Sequence, residues 1–311
     1  MGVNGAGLVA VGHVLLDYVG RAYGNAAKLC ETLSTPAHVS ASAMADIVEA
    51  LGEDGDAAHT WRAGGGSAII AMAWAKLGLP AALVGCVGRD EGGALLRQLL
   101  GSVGIKLFLS ESDKPTGRFC RVSTAKGSKI IASPAAARDI RRFDPPDSFV
   151  SNAWVLHLDG LLIDEPAWLE GIAKRAKAAG MAVSLDVSTP FNAAKNGESL
   201  IEFSKKFCDF VFANENEWEL LGKAASEAAF RKSETIWVVK RGERGASALD
   251  KGCWIDEPAA RVLELEDDVG AGDAFAAGFL AAKAAGCDVS ACLAGGNQSA
   301  SLLLVSRESF R

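Results

Sequence analysis

The feature that most constrains this chain is an alternation that runs almost its whole length. Short apolar runs bounded by turn residues alternate with helical patterns. LVAVG (8–12), AALVGCVG (81–88), VLHLDG (155–160), AVSLDV (182–187), FVFANE (210–215) and TIWVVKRG (235–242) read as strands. Ala68 to Leu77 reads as a helix stopped by Gly78, and Pro166 to Ala179 as a second with Trp168, Leu169, Ile172 and Ala176 on one face. Such repetition predicts a mostly parallel sheet sandwiched between helices, an α/β chain in three α/β/α layers. In sheets of that kind ligands bind beyond the C-terminal ends of the strands. With 311 residues, 49% of them hydrophobic, and no repeat or flexible linker, residues 1–311 are expected to form one domain.

Two stretches break the rhythm. Residues 18–62 and 104–136 are longer than simple connections. The second contains LFLSESDKPTGRFCRVSTAKGSKIIAS, which alternates apolar and polar residues and carries turn signals such as Lys126-Gly127. It reads as hairpin-like strands forming a small β flap, or lid, beside the main sheet. If that flap exposes an apolar face, two subunits would pair through it as a homodimer.

Charge and cysteine usage exclude several classes. The net charge is −6 and no block of Lys and Arg stands out, so a nucleic-acid partner is not expected. No basic leader precedes the first apolar stretch and no run of about 18 apolar residues occurs, so neither a signal peptide nor a membrane span is expected. The seven cysteines are scattered without a Cys-x-x-Cys pair, which fits reduced thiols in a cytoplasmic protein. His13, His38, His59 and His157 are equally dispersed and read as structural.

Chemistry concentrates in EDDVGAGDAFAAGFL (266–280). Gly270 and Gly272 allow positive φ and close approach of the backbone to a ligand. A helix is expected to begin between Ala271 and Ala274, and its first N–H groups would suit a phosphate. Asp273 would repel that phosphate unless it served to take a proton from an attacking hydroxyl. A plain helix N-cap explains the same residues, and the local pattern leaves both readings open. No G-x-x-x-x-G-K-[ST] occurs, and no G-x-G-x-x-G follows the first strand, which argues against a P-loop and a dinucleotide fold.

The wider context separates the two readings. DDVGAGDAFAAGFLAA closely resembles the C-terminal signature of the PfkB carbohydrate kinase family, the ribokinase-like sugar and nucleoside kinases, in which D-T-x-G-A-G-D-x-F is usual. Asp267 matches the leading Asp, while Asp268 and Val269 replace the usual hydroxyl residues. GHVLLD (12–17), AGGGSAIIAMAWAKLG (63–78), VGCVGRDEGG (84–93), FANENEWELL (212–221) and VVKRGERGA (238–246) resemble further family elements in the expected order. The long first insertion, the Gly-Gly-Ser form and Leu-Asp-Val-Ser-Thr-Pro (185–190) lean towards the adenosine-kinase-like branch.

The resemblance implies a ribokinase-like fold whose lid strands come from within 18–62 and 104–136. It implies ATP as phosphoryl donor, Mg²⁺, room for a monovalent cation, and a small-molecule sugar or nucleoside acceptor. By the same resemblance Asp273 is the general base, and Gly270, Ala271 and Gly272 form the anion hole. Asp17, at the end of the first strand, would bind the acceptor with Gly65, Gly66 and Ser67. Lys240, Gly242 and Gly245 would lie along ATP, with Asn297 beside the adenine. Asn214 and Glu217 would organise Mg²⁺ through bound waters, although Glu217 also fits the first turn of a helix, where negative charge is favoured. Ile70 stands where the family usually has a substrate-binding Asn, and Lys129 where many relatives have Arg. The expected activity is transfer of the γ-phosphate to a hydroxyl of a sugar or sugar-like acceptor, with a nucleoside as the alternative. A non-catalytic binding protein is less favoured, because Asp273 and the glycines are retained.

Overall fold

The computed structural model describes residues 6–53, 61–150, 153–260 and 268–308, with side chains as far as Leu304. In chain order the first half contains β1 (Gly7–Val11), β2 (Leu15–Arg21), α1 (Gly24–Glu31), β3 (Ala37–His38) and α2 (Ala41–Glu53). It continues through β4 (Arg62–Gly64), α3 (Gly66–Lys76), β5 (Ala81–Gly88), α4 (Glu91–Ser102), β6 (Lys106–Ser112), β7 (Arg118–Thr124) and β8 (Gly127–Ser133). The second half holds β9 (Ala153–Asp159), α5 (Pro166–Ala178), β10 (Ala182–Asp186), α6 (Pro190–Phe207), β11 (Phe210–Asn214) and α7 (Glu215–Ala224). It closes with α8 (Glu227–Arg231), β12 (Ile236–Lys240), β13 (Ala246–Asp250), β14 (Cys253–Glu257), α9 (Ala271–Ala284) and α10 (Val289–Glu308).

Nine strands form one sheet in the order β14-β13-β12-β11-β10-β9-β1-β5-β6. From β12 to β6 every pairing is parallel, and β13 and β14 close that end antiparallel. Period-two alternation divides each central strand between two cores. Leu8 and Ala10 face α3, α9 and α10, whereas Val9 and Val11 face α5 and α6. Burial on both faces is why the central strands read as unbroken apolar runs rather than as alternating ones. The three expected layers are present. Among the described residues, no helix is long and apolar enough to cross a membrane.

A second sheet, in the order β3-β8-β7-β2-β4, lies apart from the first. One face carries Tyr18, Cys120, Val122 and Ile131, buried against Ala26 and Cys30 of α1 and Met44, Ile47 and Leu51 of α2. The opposite face carries Arg62, Asp17 and Phe119 in one row and Val19, Arg121 and Ile130 in the next. That face looks toward the large sheet, because Arg121 reaches across to pair with Asp268.

Three expectations change. Asp17 does not end the first strand, because the chain leaves β1 at Val11 and re-enters extended backbone at Leu15, two residues before Asp17. Asp17 therefore belongs to a lid strand that starts ahead of residue 18. The 104–136 segment is divided, since β6 pairs with β5 at the rim of the large sheet and only β7 and β8 join the lid. A half-exposed rim strand has the same alternation as a lid strand, so the pattern could not separate them. The 18–62 insertion supplies α1 and α2 as well as strands.

Those helices cover the apolar lid face that subunit pairing would need. The protein is accordingly expected to elute as a single chain in gel filtration. A stable dimer dissociated by charge substitutions on β7 or β8 would contradict this.

Candidate active site

Parallel strands deliver their C-terminal ends to one edge of the sheet. Here β9 ends in Asp159, β10 in Asp186, β11 in Asn214 and β12 in Lys240, while His13 follows β1 by two residues. The chain builds β5 and β6 to one side of β1 and β9 to β12 to the other, which makes the β1–β9 boundary the switch point where such folds open a crevice. Within the sheet these strands must be apolar, so polar residues cluster where the backbone leaves it.

A continuous hydrogen-bonded chain crosses this edge. His13 Nδ1 lies 2.6 Å from Asp159 Oδ2, and the His13 backbone N–H also donates to that oxygen at 3.1 Å. The Ser188 hydroxyl donates to Asp159 Oδ1 at 2.7 Å, and its backbone N–H donates to Asp186 Oδ1 at 2.8 Å. Lys240 Nζ then donates to Asp186 Oδ2 at 2.6 Å. Ser188 makes these bonds from a left-handed conformation, φ +77°. For a residue with a Cβ that conformation costs of order 1–3 kcal/mol and tends to be kept at functional sites.

Two helix N-termini meet above this chain. α3 is entered through Gly65 at φ +80°, where a Cβ would lie 2.4 Å from the His13 carbonyl oxygen. α9 is entered through Gly270 at φ +82°. Both turns need a glycine, the first for space and conformation and the second for conformation. The first intrahelical bond of α9 runs from the Ala274 N–H to the Gly270 carbonyl at 3.0 Å, and the Ala271 N–H is already used on the Asp268 carbonyl at 3.1 Å. The N–H groups of Gly272 and Asp273, in the first turn of α9, have no intrahelical acceptor. The Ala271 N–H, one of those expected in the anion hole, donates to the Asp268 carbonyl in this structure.

Asp273 projects from α9 toward α3, so that a Cβ on Gly66 would lie 3.1 Å from its Oδ1. The Lys240 ammonium backs the same turn, 3.1 Å from where a Cβ on Gly272 would be. Asp17 enters from the lid, 3% exposed. Ser67, in the first turn of α3, is buried, and its Oγ has no hydrogen-bond partner among the described residues. A buried orphan hydroxyl is costly, on the order of 1–3 kcal/mol, unless a ligand or water satisfies it.

So many carboxylates in one crevice disturb one another. Burial, and then the neighbouring Asp186 charge, push the Asp273 carboxyl up to about 7 against the pull of Lys240. Burial and Asp186 likewise raise Glu217 to about 7. Burial works against the Lys240 ammonium, yet Asp186, Glu217 and Asp273 together hold its pKa above the ordinary lysine value. Burial would raise Asp159 as well, but the adjacent His13 and the hydrogen bonds from His13, Ser188 and Leu161 hold its carboxyl well below the usual range.

The sequence-derived candidates thus fall into three groups. Asp17, Gly65, Gly66, Ser67, Asp273, the 270–272 turn and Lys240 converge, Lys240 as the half-buried last residue of β12. Asn214 and Glu217 form a complete capping box at the start of α7: the Asn214 side chain accepts from the Glu217 N–H at 2.9 Å, and Glu217 accepts from the Asn214 backbone and side-chain N–H groups at 2.8 and 2.7 Å. Gly242 and Gly245 bracket a tight turn after β12. Gly245 backs onto residues 257–259, whose Glu257 and Pro258 carbonyls accept from Asn297 at 3.4 and 2.9 Å. Those bonds occupy the Asn297 amide N–H.

Ile70, one turn beyond Ser67 in α3, is fully buried among apolar side chains. Lys129 donates to the Leu33 carbonyl at 2.7 Å and ties the lid to the segment after α1. Asp267 lies outside the described residues. His13, Asp159, Asp186 and Ser188 were not expected in the site.

Comparison with known proteins places the chain in a family. The profile described as pfkB family carbohydrate kinase matches residues 40–309. The chain is 30% identical over 240 residues to an ATP-dependent ribose-1-phosphate kinase of Halopiger xanaduensis, covering 76% of this chain and 78% of that protein. It is 25% identical over 244 residues to a nucleoside kinase of Methanocaldococcus jannaschii, covering 74% of each. Among solved structures, a probable sugar kinase from Rhizobium etli superposes with a TM-score of 0.82 at 22% identity, over 97% of this chain and 94% of that one. An adenosine kinase from Sinorhizobium meliloti does so with a TM-score of 0.82 at 21% identity, over 98% and 99%. The chain belongs to the pfkB family of carbohydrate kinases, phosphotransferases that act on hydroxyl groups.

Proposed function

We propose that the protein transfers the γ-phosphate of ATP to a hydroxyl of a sugar or sugar-like acceptor bound under the lid. The observation that carries this reading is the position of Asp273, set between the glycine-capped starts of α3 and α9 with a lysine ammonium behind it. The acceptor lies on the α3 side, where Asp17 accepts from its hydroxyls and the orphan Ser67 Oγ gains a partner. The transferring phosphoryl lies on the α9 side, against the Gly272 and Asp273 N–H groups and Lys240. The acceptor oxygen attacks the γ-phosphorus as its proton passes to Asp273, and the bond to the β-phosphate oxygen breaks to release ADP. Positioning and charge stabilisation are most of what this chemistry needs.

Among the described residues, no group of three or more histidine, cysteine or carboxylate side chains forms a metal cage. Both carboxylate oxygens of Glu217 already accept hydrogen bonds. That donor set fits a hydrated Mg²⁺ held through water by Asn214 and Glu217, since Mg²⁺ gives up its waters reluctantly. Bound there, Mg²⁺ would offset charge on the donor phosphates. Gly242, Gly245 and Asn297 shape the turn and the 257–259 segment against which the nucleotide is expected to lie.

A nucleoside acceptor is the second reading. Phe191, 66% exposed at the start of α6, faces the His38 ring of the lid at 6.5 Å between centroids. It gives the mouth of the crevice an aromatic surface on which a base could stack.

Incubation with Mg-ATP and a panel of ribose, ribose 1-phosphate, hexoses, keto-deoxy sugar acids and nucleosides should release ADP with one acceptor class. Asp273→Asn should abolish that turnover by roughly 10²–10⁴-fold; turnover kept in the variant would remove Asp273 from its role. Because the base must be deprotonated, kcat/KM should fall as pH drops through about 7, the value to which Asp273 is raised.

Stability should respond in the opposite sense. A carboxyl raised in the folded state holds a proton that the unfolded chain releases from about pH 4 upward, so its contribution is lost as pH rises to about 7. Asp273→Asn should therefore raise the Tm at pH 8, and by less at pH 5. An unchanged or lower Tm at pH 8 would contradict the charge account.

A further inference from the structure

Asp186 stands at the centre of the polar chain, yet the reaction described above gives it no contact with donor or acceptor. Its carboxylate is fixed at both oxygens, one by the Ser188 N–H and the other by Lys240. It is 7% exposed, and the left-handed Ser188 that helps to hold it is itself tied to Asp159. We propose that Asp186 is a positioning residue of the phosphate site: it holds the Lys240 ammonium beneath the α9 turn, toward the transferring phosphoryl group and away from Asp273. This rests on the kinase reading.

Lys240 has competing partners. A lysine side chain has four flexible carbons, and its ammonium is a point charge that follows the strongest nearby anion. Glu217 and Asp273 both attract Lys240 here, alongside Asp186. Without the Asp186 tether the ammonium would settle on Asp273. A carboxylate paired to an ammonium holds its proton less readily and is a poorer base. Asp186 brings a liability as well, because a carboxylate beside a phosphate site repels phosphate unless it is neutralised. Its benefit therefore depends on Lys240.

This dependence gives a pair of substitutions an unusual signature. Binding of a non-hydrolysable Mg-ATP analogue, measured calorimetrically, needs neither acceptor nor turnover. Lys240→Met should weaken it by about tenfold or more, because it removes a cation and exposes the Asp186 charge. The double variant Asp186→Asn/Lys240→Met should bind more tightly than Lys240→Met alone. Asp186→Asn alone should keep the analogue within about threefold of wild type while kcat falls roughly 10- to 100-fold, with partial rescue in Asp186→Glu.

If Lys240→Met does not fold, the kcat-against-affinity split in Asp186→Asn and its rescue by glutamate still decide the matter. A double variant no tighter than Lys240→Met would overturn the proposal, as would Asp186→Asn losing nucleotide affinity in step with kcat. Failure of the wild-type protein to bind the analogue would overturn the nucleotide reading and the proposal with it. Analogue binding that follows the expected pattern, with no turnover on the acceptor panel, would support the proposal and leave the choice of acceptor as the point at fault.

Discussion

The crevice is organised around one buried ion pair, Lys240 with Asp186, set among carboxylates that would otherwise repel one another. Such a pair does little for stability, because desolvation consumes most of its Coulomb attraction, and losing one partner typically costs about 3–5 kcal/mol. The fold can hold it because the strands that end there are clamped on both sides. Leu185 and Val211 anchor β10 and β11 in one core, and Phe212 and Val238 anchor β11 and β12 in the other. The polar residues at the strand ends are therefore held where packing places them, not where electrostatics alone would put them. Around them, two carboxylates in the first turns of helices, Asp273 and Glu217, are held in a state that raises their proton affinity. That arrangement costs stability and suits proton transfer.

The rest of the site depends on how closely backbone can approach this centre. α3 and α9 both start at glycines with positive φ, and their unpaired N–H groups converge from opposite sides on the space around Asp273. The lid closes that space from above, with Asp17 on its inner face and Arg121 paired to Asp268 just ahead of α9. On the proposed reading, acceptor and donor sides meet at a single carboxylate, Asp273.

Much of the large sheet was legible because a strand buried on both faces leaves an unbroken apolar run, as in AALVGCVG and FVFAN. Asp273 and its glycines were legible because a helix start, close backbone approach and a carboxylate coincide in a few residues. Asp159 and Asp186 were in plain view at the ends of VLHLD and AVSLD, in the region where ligands were expected. An aspartate at a strand end is so often a turn residue that only the hydrogen bonds through Ser188 distinguish it. His13 was set aside because dispersed histidines carry no spacing signal. The bond of the Ala271 N–H to Asp268 is a property of the turn and cannot be read from residue type. The α1–α2 cover of the lid was missed because a long insertion shows its length but not what it packs against.

The central claim is that phosphate charge is met at the start of α9, by backbone donors with the Lys240 ammonium behind them. Amide hydrogen exchange resolved at residues 270–273, with and without a non-hydrolysable Mg-ATP analogue, addresses it most directly. The account predicts that the Gly272 and Asp273 amides, which no helix bond protects, become protected when the analogue binds, while Ala271 changes little. Binding of the analogue without protection at Gly272 and Asp273 would place the phosphates elsewhere and contradict it.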